Sequence, residues 1–234
     1  MKIAIIHGQN HEGSTYHIAH NLAEEIGGQI TEFFLPRDFD KFCVGCTTCF
    51  TKGETKCPHY EMLAPITAAI DEADLIILSS PVYVYHATGA MKAMLDHYGY
   101  QWMAHRPKAA MFSKQAVCVT TAAGAGMEST IKDMADSLFF WGVAKQYKLG
   151  FAISATSWDE IKPKKKQAIE HRIKSLAAKI RRRNGKVKPG FKTRAFFWLM
   201  HLMQRNGWNE ADVRYWKQLG WTGSNRPWKK KNKD

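Results

Sequence analysis

Five short apolar runs, each followed by a stretch of helical period, organise the first 180 residues. They lie at 2–7 (Lys2-Ile3-Ala4-Ile5-Ile6-His7), 29–35, 74–80, 115–121 and 147–153. Runs without polar/apolar alternation must be buried on both faces, which is the condition of a strand inside a parallel sheet. The segments between them, 14–26, 60–72, 89–98, 127–140 and 163–183, space their apolar residues three or four apart, as in Ile18, Leu22 and Ile26. Strand and helix in alternation predict an α/β fold: an open, doubly wound parallel sheet with helices on both faces. Ser14 is expected to cap the first helix and Gly27-Gly28 to end it.

In that architecture ligands bind outside the carboxyl ends of the strands. Four loops therefore matter. The first, Gly8-Gln9-Asn10-His11-Glu12-Gly13-Ser14-Thr15, opens a helix, and free N–H groups at a helix start favour a phosphate. It lacks the Gly-Lys-Ser/Thr ending of a nucleotide-triphosphate loop. The third-strand loop, Ser80-Pro81-Val82-Tyr83-Val84-Tyr85-His86, offers aromatic rings and backbone to a flat heterocycle. The fourth-strand loop, Thr121-Ala122-Ala123-Gly124-Ala125-Gly126, lets the backbone approach a ligand closely at its glycines. Each loop taken singly also reads as an ordinary turn.

The second-strand loop carries Cys43, Cys46, Cys49 and Cys57, the last followed by Pro58. Clustered thiolates hold iron–sulfur clusters or zinc, or cycle as dithiol and disulfide. All three readings stand at this point. Cys118, inside an apolar run, reads as core. His86 and His97 are expected near the edge where a ligand sits, with proton transfer as one role and packing as the other. Asp96 is expected to serve its helix or an interface. No triad, metalloprotease motif or carboxylate pair is visible.

Taken together, Gly8-x4-Gly13-Ser14-Thr15, Ser80-Pro81-Val82-Tyr83 and Gly89-x2-Lys92-x3-Asp96 resemble the NADPH-dependent FMN reductase family of flavodoxin-like folds. With the cysteine spacing added, the chain resembles the iron–sulfur flavoprotein branch of that family. The resemblance covers roughly residues 1–180 and implies a sheet order of 2-1-3-4-5. It implies FMN, with phosphate on Gln9, His11, Ser14 and Thr15. The ring system is expected against Pro81, Val82, Tyr83 and Val84, and Thr121, Ala122, Gly124 and Gly126 are expected to close over it. The family commonly has Ser and Arg where this chain has Gln9 and His11. The cysteines become candidate ligands of a 4Fe–4S cluster. The implied activity is transfer of electrons from NAD(P)H to a quinone, a flavin or another small acceptor. The flavin performs that chemistry, so no side chain is assigned as catalytic. The alternatives are an iron–sulfur flavoprotein relaying electrons between protein partners, and a ligand-free binding module. Homo-oligomers are expected, as flavin sites in the family are often completed between subunits.

Charge divides the chain. Residues 181–234 hold 15 Lys or Arg against 3 Asp or Glu, and five of the eight Trp, while residues 1–180 are nearly neutral. The boundary is drawn as a flavodoxin-like FMN-binding domain at 1–184 and a basic helical extension at 185–234. Helices are expected over 191–203, with Phe196, Leu199, Met200 and Met203 on one apolar side that Phe197, Trp198 and Leu202 widen, and over 209–219. The Lys229-Lys230-Lys231-Asn232-Lys233 end is expected to be disordered. Packing on the body or another subunit is favoured for the extension, with peripheral contact to anionic lipid as the second reading and nucleic acid as an unfavoured third. No run approaches the roughly 18 apolar residues of a membrane span. Thiols in a loop rather than a disulfide framework suggest the cytoplasm.

Overall fold

The computed structural model describes residues 1–207 and 209–229. Trp208 and the 230–234 end, on which most of the expected terminal disorder falls, lie outside the described residues. In chain order the elements are β1 (Lys2–His7), α1 (Ser14–Ile26), β2 (Gln29–Phe34), α2 (Thr48–Thr51), α3 (Tyr60–Glu72), β3 (Leu75–Ser79), α4 (Gly89–Asp96), β4 (Gln115–Ala122), α5 (Met127–Phe140), β5 (Lys145–Ala152), α6 (Pro163–Arg183), α7 (Phe191–Arg205) and α8 (Glu210–Gln218). The strands form one parallel sheet in the order β2-β1-β3-β4-β5. This is the flavodoxin-like arrangement expected of the chain.

Alternate residues of each strand feed two cores. Ala4, Ile6, Ile76, Leu78, Ala116 and Cys118 meet Ile66 of α3, Met94 of α4 and Met134 of α5 on one face. Ile3, Ile5, Leu75, Ile77, Val117 and Val119 meet Leu22 of α1 and Ile173 of α6 on the other. Such double burial explains why the three central strands read as continuous apolar runs. Cys118 is fully buried in the first core, and burial pushes its thiol up to about 12.

Some boundaries move for identifiable reasons. Gly13, not Ser14, is the N-cap of α1 and makes no side-chain capping bond, so Ser14 begins the helix with its hydroxyl uncommitted to the cap. The helix expected over 89–98 stops at Asp96, because His97 and Tyr98 donate to carbonyls only three residues back. β5 starts at Lys145, where its pairing with Gln115 begins.

The extension folds against its own chain. Phe197, Met200, Trp216 and Trp221 pack with Met103 and Phe112 into a third apolar cluster. Phe197 stacks on Trp216 at a ring separation of 4.8 Å. The buried face of α7 runs through Phe197, Met200, His201 and Gln204, and leaves Trp198 and Leu199 exposed. Trp198 and Leu199, expected on the apolar side, thus face outward, while Phe196, Phe197, Met200 and Met203 pack as expected. His201 and Gln204 hydrogen-bond the carbonyls of Trp221 and Ala104 at 2.6 Å each, and an apolar period does not register such polar anchors. Asn209 caps α8 by accepting from the Ala211 and Asp212 N–H groups. No helix among the described residues is long and apolar enough to cross a membrane.

The extension's strongest polar tie is Asp212, fully buried, which accepts from Arg106 Nη1 at 2.5 Å and His105 Nδ1 at 2.7 Å. Removing one partner of a buried pair strands the other. Asp212→Ala is therefore expected to cost about 3–5 kcal/mol in urea unfolding. An unchanged midpoint and slope would refute the role given to this carboxylate.

Candidate functional site

Parallel register brings the carboxyl ends of β1 and β3 level, with His7 opposite Ser79 and Ser79 opposite Val119, and β4 runs on past them to Ala122. The loops that leave them are then bonded to one another. Gly8 N–H donates to Ser79 O at 2.7 Å, and Thr88 Oγ1 donates to Gly8 O at 2.6 Å. A side chain at Gly8 would bring its Cβ to 2.8 Å from that Thr88 hydroxyl, so close approach excludes one. Thr15 and Thr121, both buried, share a hydroxyl hydrogen bond of 2.6 Å. Thr121 O accepts from Val82 N–H at 2.9 Å. One residue thus joins the first, third and fourth loops.

The first loop folds its polar side chains over the start of α1. Gln9 is buried and donates through Nε2 to His11 O at 3.1 Å. A Cβ at Gly13 would lie 2.9 Å from the His11 ring and 3.3 Å from Gln9 Nε2. Gln9 and His11 therefore crowd the backbone at Gly13, the start of a helix that has no side-chain cap. That end carries partial positive charge from its free N–H groups.

The third loop holds a tight turn. Tyr83 and His86 exchange two backbone hydrogen bonds of 3.0 Å each around Val84 and Tyr85, which both take positive φ (49° and 67°). For a β-branched valine this is a strained conformation, and such strain persists only where surroundings impose it. The surroundings are α5 and the fourth loop. Asp133 accepts from Ala87 N–H at 3.0 Å and faces His86 Nδ1 at 3.1 Å. Ser129 donates to Tyr85 O. Gly126, at φ 90°, sits against Val82 and Tyr85, and a Cβ there would meet Val82 Cγ1 at 2.7 Å. Tyr83, Val84 and Tyr85 are left exposed, Val84 at 92%. Thr88, Ser129 and Asp133 were not anticipated from sequence. The available signal was Ser129 and Asp133 four apart on one helical face.

The cysteine loop makes a separate pocket. Cys43, Cys46, Cys49 and Cys57 line one cavity of about 70 Å³ with His59 and His97. Positive φ at Gly45 (66°) and Thr47 (56°) turns the chain into the short α2 that carries Cys49. Hydrogen bonds from the Thr48 hydroxyl and N–H lower the Cys46 thiol pKa. Burial raises Cys49, and the neighbouring thiols of Cys57, Cys43 and Cys46 add to it. His97, expected near the ligand edge, lines this pocket. It lies beyond α4, turned toward this loop, with only 5% of its surface exposed. His86 does reach the third-loop turn, where it is paired with Asp133. Asp96 serves its helix through an i,i+4 pair with Lys92.

Residues 1–156 match the profile of the NADPH-dependent FMN reductases. The chain belongs to this family. Among curated relatives of this FMN reductase-family chain, an iron-sulfur flavoprotein of Archaeoglobus fulgidus is 29% identical over 135 residues, 56% of this chain and 57% of that protein. An iron-sulfur flavoprotein of Methanocaldococcus jannaschii is 34% identical over 119 residues, 48% and 56% of the respective lengths. The match thus spans little more than half of each relative. Among solved structures, an FMN-dependent NADH-azoreductase of Bacillus anthracis in complex with FMN superposes with a TM-score of 0.56 at 12% identity, over 77% of this chain and 100% of that one. An NADH:FMN oxidoreductase superposes at 0.52 with 16% identity, over 82% and 92%. At these identities the superpositions establish the fold.

Gly126→Val is expected to force the third and fourth loops apart, because it adds strain at positive φ and meets Val82. A loss of about 1–3 kcal/mol in thermal unfolding is the expected outcome. A variant as stable as the parent would contradict the packing of these loops on each other.

Proposed function

We propose that the chain is an FMN-dependent NAD(P)H oxidoreductase delivering electrons to a quinone, a flavin or another small acceptor. The observation that carries this reading is the junction at Thr121, which ties the three loops into one rim. The rim's residues fit a flavin nucleotide. The uncapped start of α1, with Ser14, Thr15, Gln9 and His11, offers N–H, hydroxyl, amide and imidazole donors suited to a phosphate. Pro81, Val82, Tyr83 and Val84 offer backbone groups and an exposed aromatic ring to a flat ring system. Thr121, Ala122, Gly124 and Gly126 form the opposing lip, and Gly126 lacks the side chain that would crowd it. When bound, FMN supplies the hydride and electron chemistry.

The protein's share is placement. Thr15 and Thr121 brace the phosphate loop against the fourth strand. Ser129 and Asp133 hold the 83–86 turn in its strained form, so the loop needs little reordering to meet a ligand. Exposed Tyr83, Val84 and Tyr85 suit burial by the nicotinamide, the acceptor or a second copy of the chain, and we place homo-oligomer formation in the same reading. The family membership and the FMN-bound azoreductase of the same fold support it.

An electron carrier between protein partners is the second reading. It is favoured by the four cysteines on one cavity, a donor set suited to a 4Fe–4S cluster, and by the iron-sulfur flavoproteins among the relatives. Iron and sulfide near four per chain after anaerobic purification would favour it, and their absence would count against it.

The reductase reading is checked by adding FMN, then NADH or NADPH, without oxygen. FMN should raise the melting temperature, and at least one nicotinamide should bleach the bound flavin. Ser14→Ala should weaken FMN about tenfold, the equivalent of roughly 1.4 kcal/mol. Bound flavin that neither nicotinamide bleaches would remove the reductase, and failure to bind FMN would remove both readings.

A further inference from the structure

The histidines of the cysteine pocket have no part in either reading. His97 directs Nδ1 to the carbonyl of Ala93 at 2.8 Å. A carbonyl only accepts, so the ring proton sits on Nδ1 and Nε2 is a lone pair. That lone pair faces His59 Nδ1 at 2.9 Å. Phe39, fully buried, stands edge-on to the His97 ring at 4.8 Å and fixes its plane. An imidazole whose far nitrogen is anchored on a carbonyl is oriented as metal-bound histidines are.

Cys57 completes the arrangement. Its Sγ and one nitrogen from each of His59 and His97 all lie within 4.8 Å of one another, around the same cavity. Tetrahedral zinc, with Zn–N near 2.0–2.1 Å, places two ligand nitrogens about 3.3 Å apart. The imidazole pair therefore needs to open by only a few tenths of an ångström, exchanging one hydrogen bond for two coordinate bonds. His59 would then carry its proton on Nε2.

We propose that Cys57, His59 and His97 form a mononuclear site for a divalent cation of the zinc class. Two imidazoles and one thiolate are a donor set of borderline softness, which suits zinc and cobalt better than magnesium or calcium. Three protein donors leave the fourth tetrahedral position for water or an exchangeable ligand. The site does not depend on the flavin reading. It competes with a four-cysteine cluster, since both draw on Cys57, and it differs from one in needing both histidines and in not needing Cys43 or Cys46.

Cobalt(II) titration of the chelator-treated full-length chain tests this, read by thiolate-to-cobalt charge transfer and tetrahedral d–d absorption. One cobalt per chain should bind, and zinc should displace it. His59→Ala, His97→Gln and Cys57→Ser should each weaken cobalt at least tenfold, while Cys43→Ser and Cys46→Ser leave the spectrum and affinity unchanged. Because His97 is buried, circular dichroism and melting of His97→Gln are measured first, and the part-exposed His59 decides the matter if that variant is unfolded. Loss of binding in Cys43→Ser with none in His59→Ala would overturn the mixed site in favour of an all-sulfur one. Absence of a stoichiometric cobalt spectrum would overturn it outright.

Discussion

The hydrogen bond between the Thr15 and Thr121 hydroxyls is the contact on which the proposed rim depends. It spans 106 residues and is buried at both ends, so little water competes for it. A parallel sheet aligns strand ends but does not by itself bind loop to loop. Here the alignment of β1, β3 and β4 brings Thr121 within reach of α1 through its side chain and of Val82 through its carbonyl. The same strand end thereby fixes where a phosphate and a ring system would lie relative to each other. Its geometry is inherited from the two cores beneath it.

The strained turn at Val84 and Tyr85 and the pocket at Cys57 are built in comparable ways. In each, an exposed loop is held by side chains from outside it: Asp133 and Ser129 of α5 for the turn, and Arg106, from the connection between α4 and β4, for the cysteine loop. Arg106 donates to the carbonyls of Cys49 and Phe50, while Asp212 of α8 holds the guanidinium from behind. The basic extension thus reaches the thiol loop through one buried ion pair. This gives the extension's inner face a structural purpose, and its outward Phe191, Trp198 and Leu199 remain exposed.

Much of this was legible in the residues. Strands β1, β3 and β4 announce themselves because both faces are buried, and the three rim loops could be placed once strand and helix alternate. The family resemblance rested on motifs in the first and third of those loops and in α4, and the match over residues 1–156 bears it out. Other features were not legible. The four-residue α2 is too short to show a period. The pairing of His59 with His97 depends on how the end of α4 packs, and nothing in the sequence joins the two. On α7 the apolar period placed Phe196, Met200 and Met203 on the packed face but wrongly added Leu199, and it gave no sign of His201 and Gln204, which are buried to satisfy backbone carbonyls. Side chains that meet across 100 residues, as Arg106 and Asp212 do, leave no local trace.

The most direct test of the central claim is a backbone amide NMR titration of the ¹⁵N-labelled protein with FMN. The account predicts shifts concentrated in residues 9–15, 81–85 and 121–126, changing together along one saturating curve. Shifts confined to one of these segments, or centred on the cysteine loop or the extension, would contradict a single rim formed by three loops.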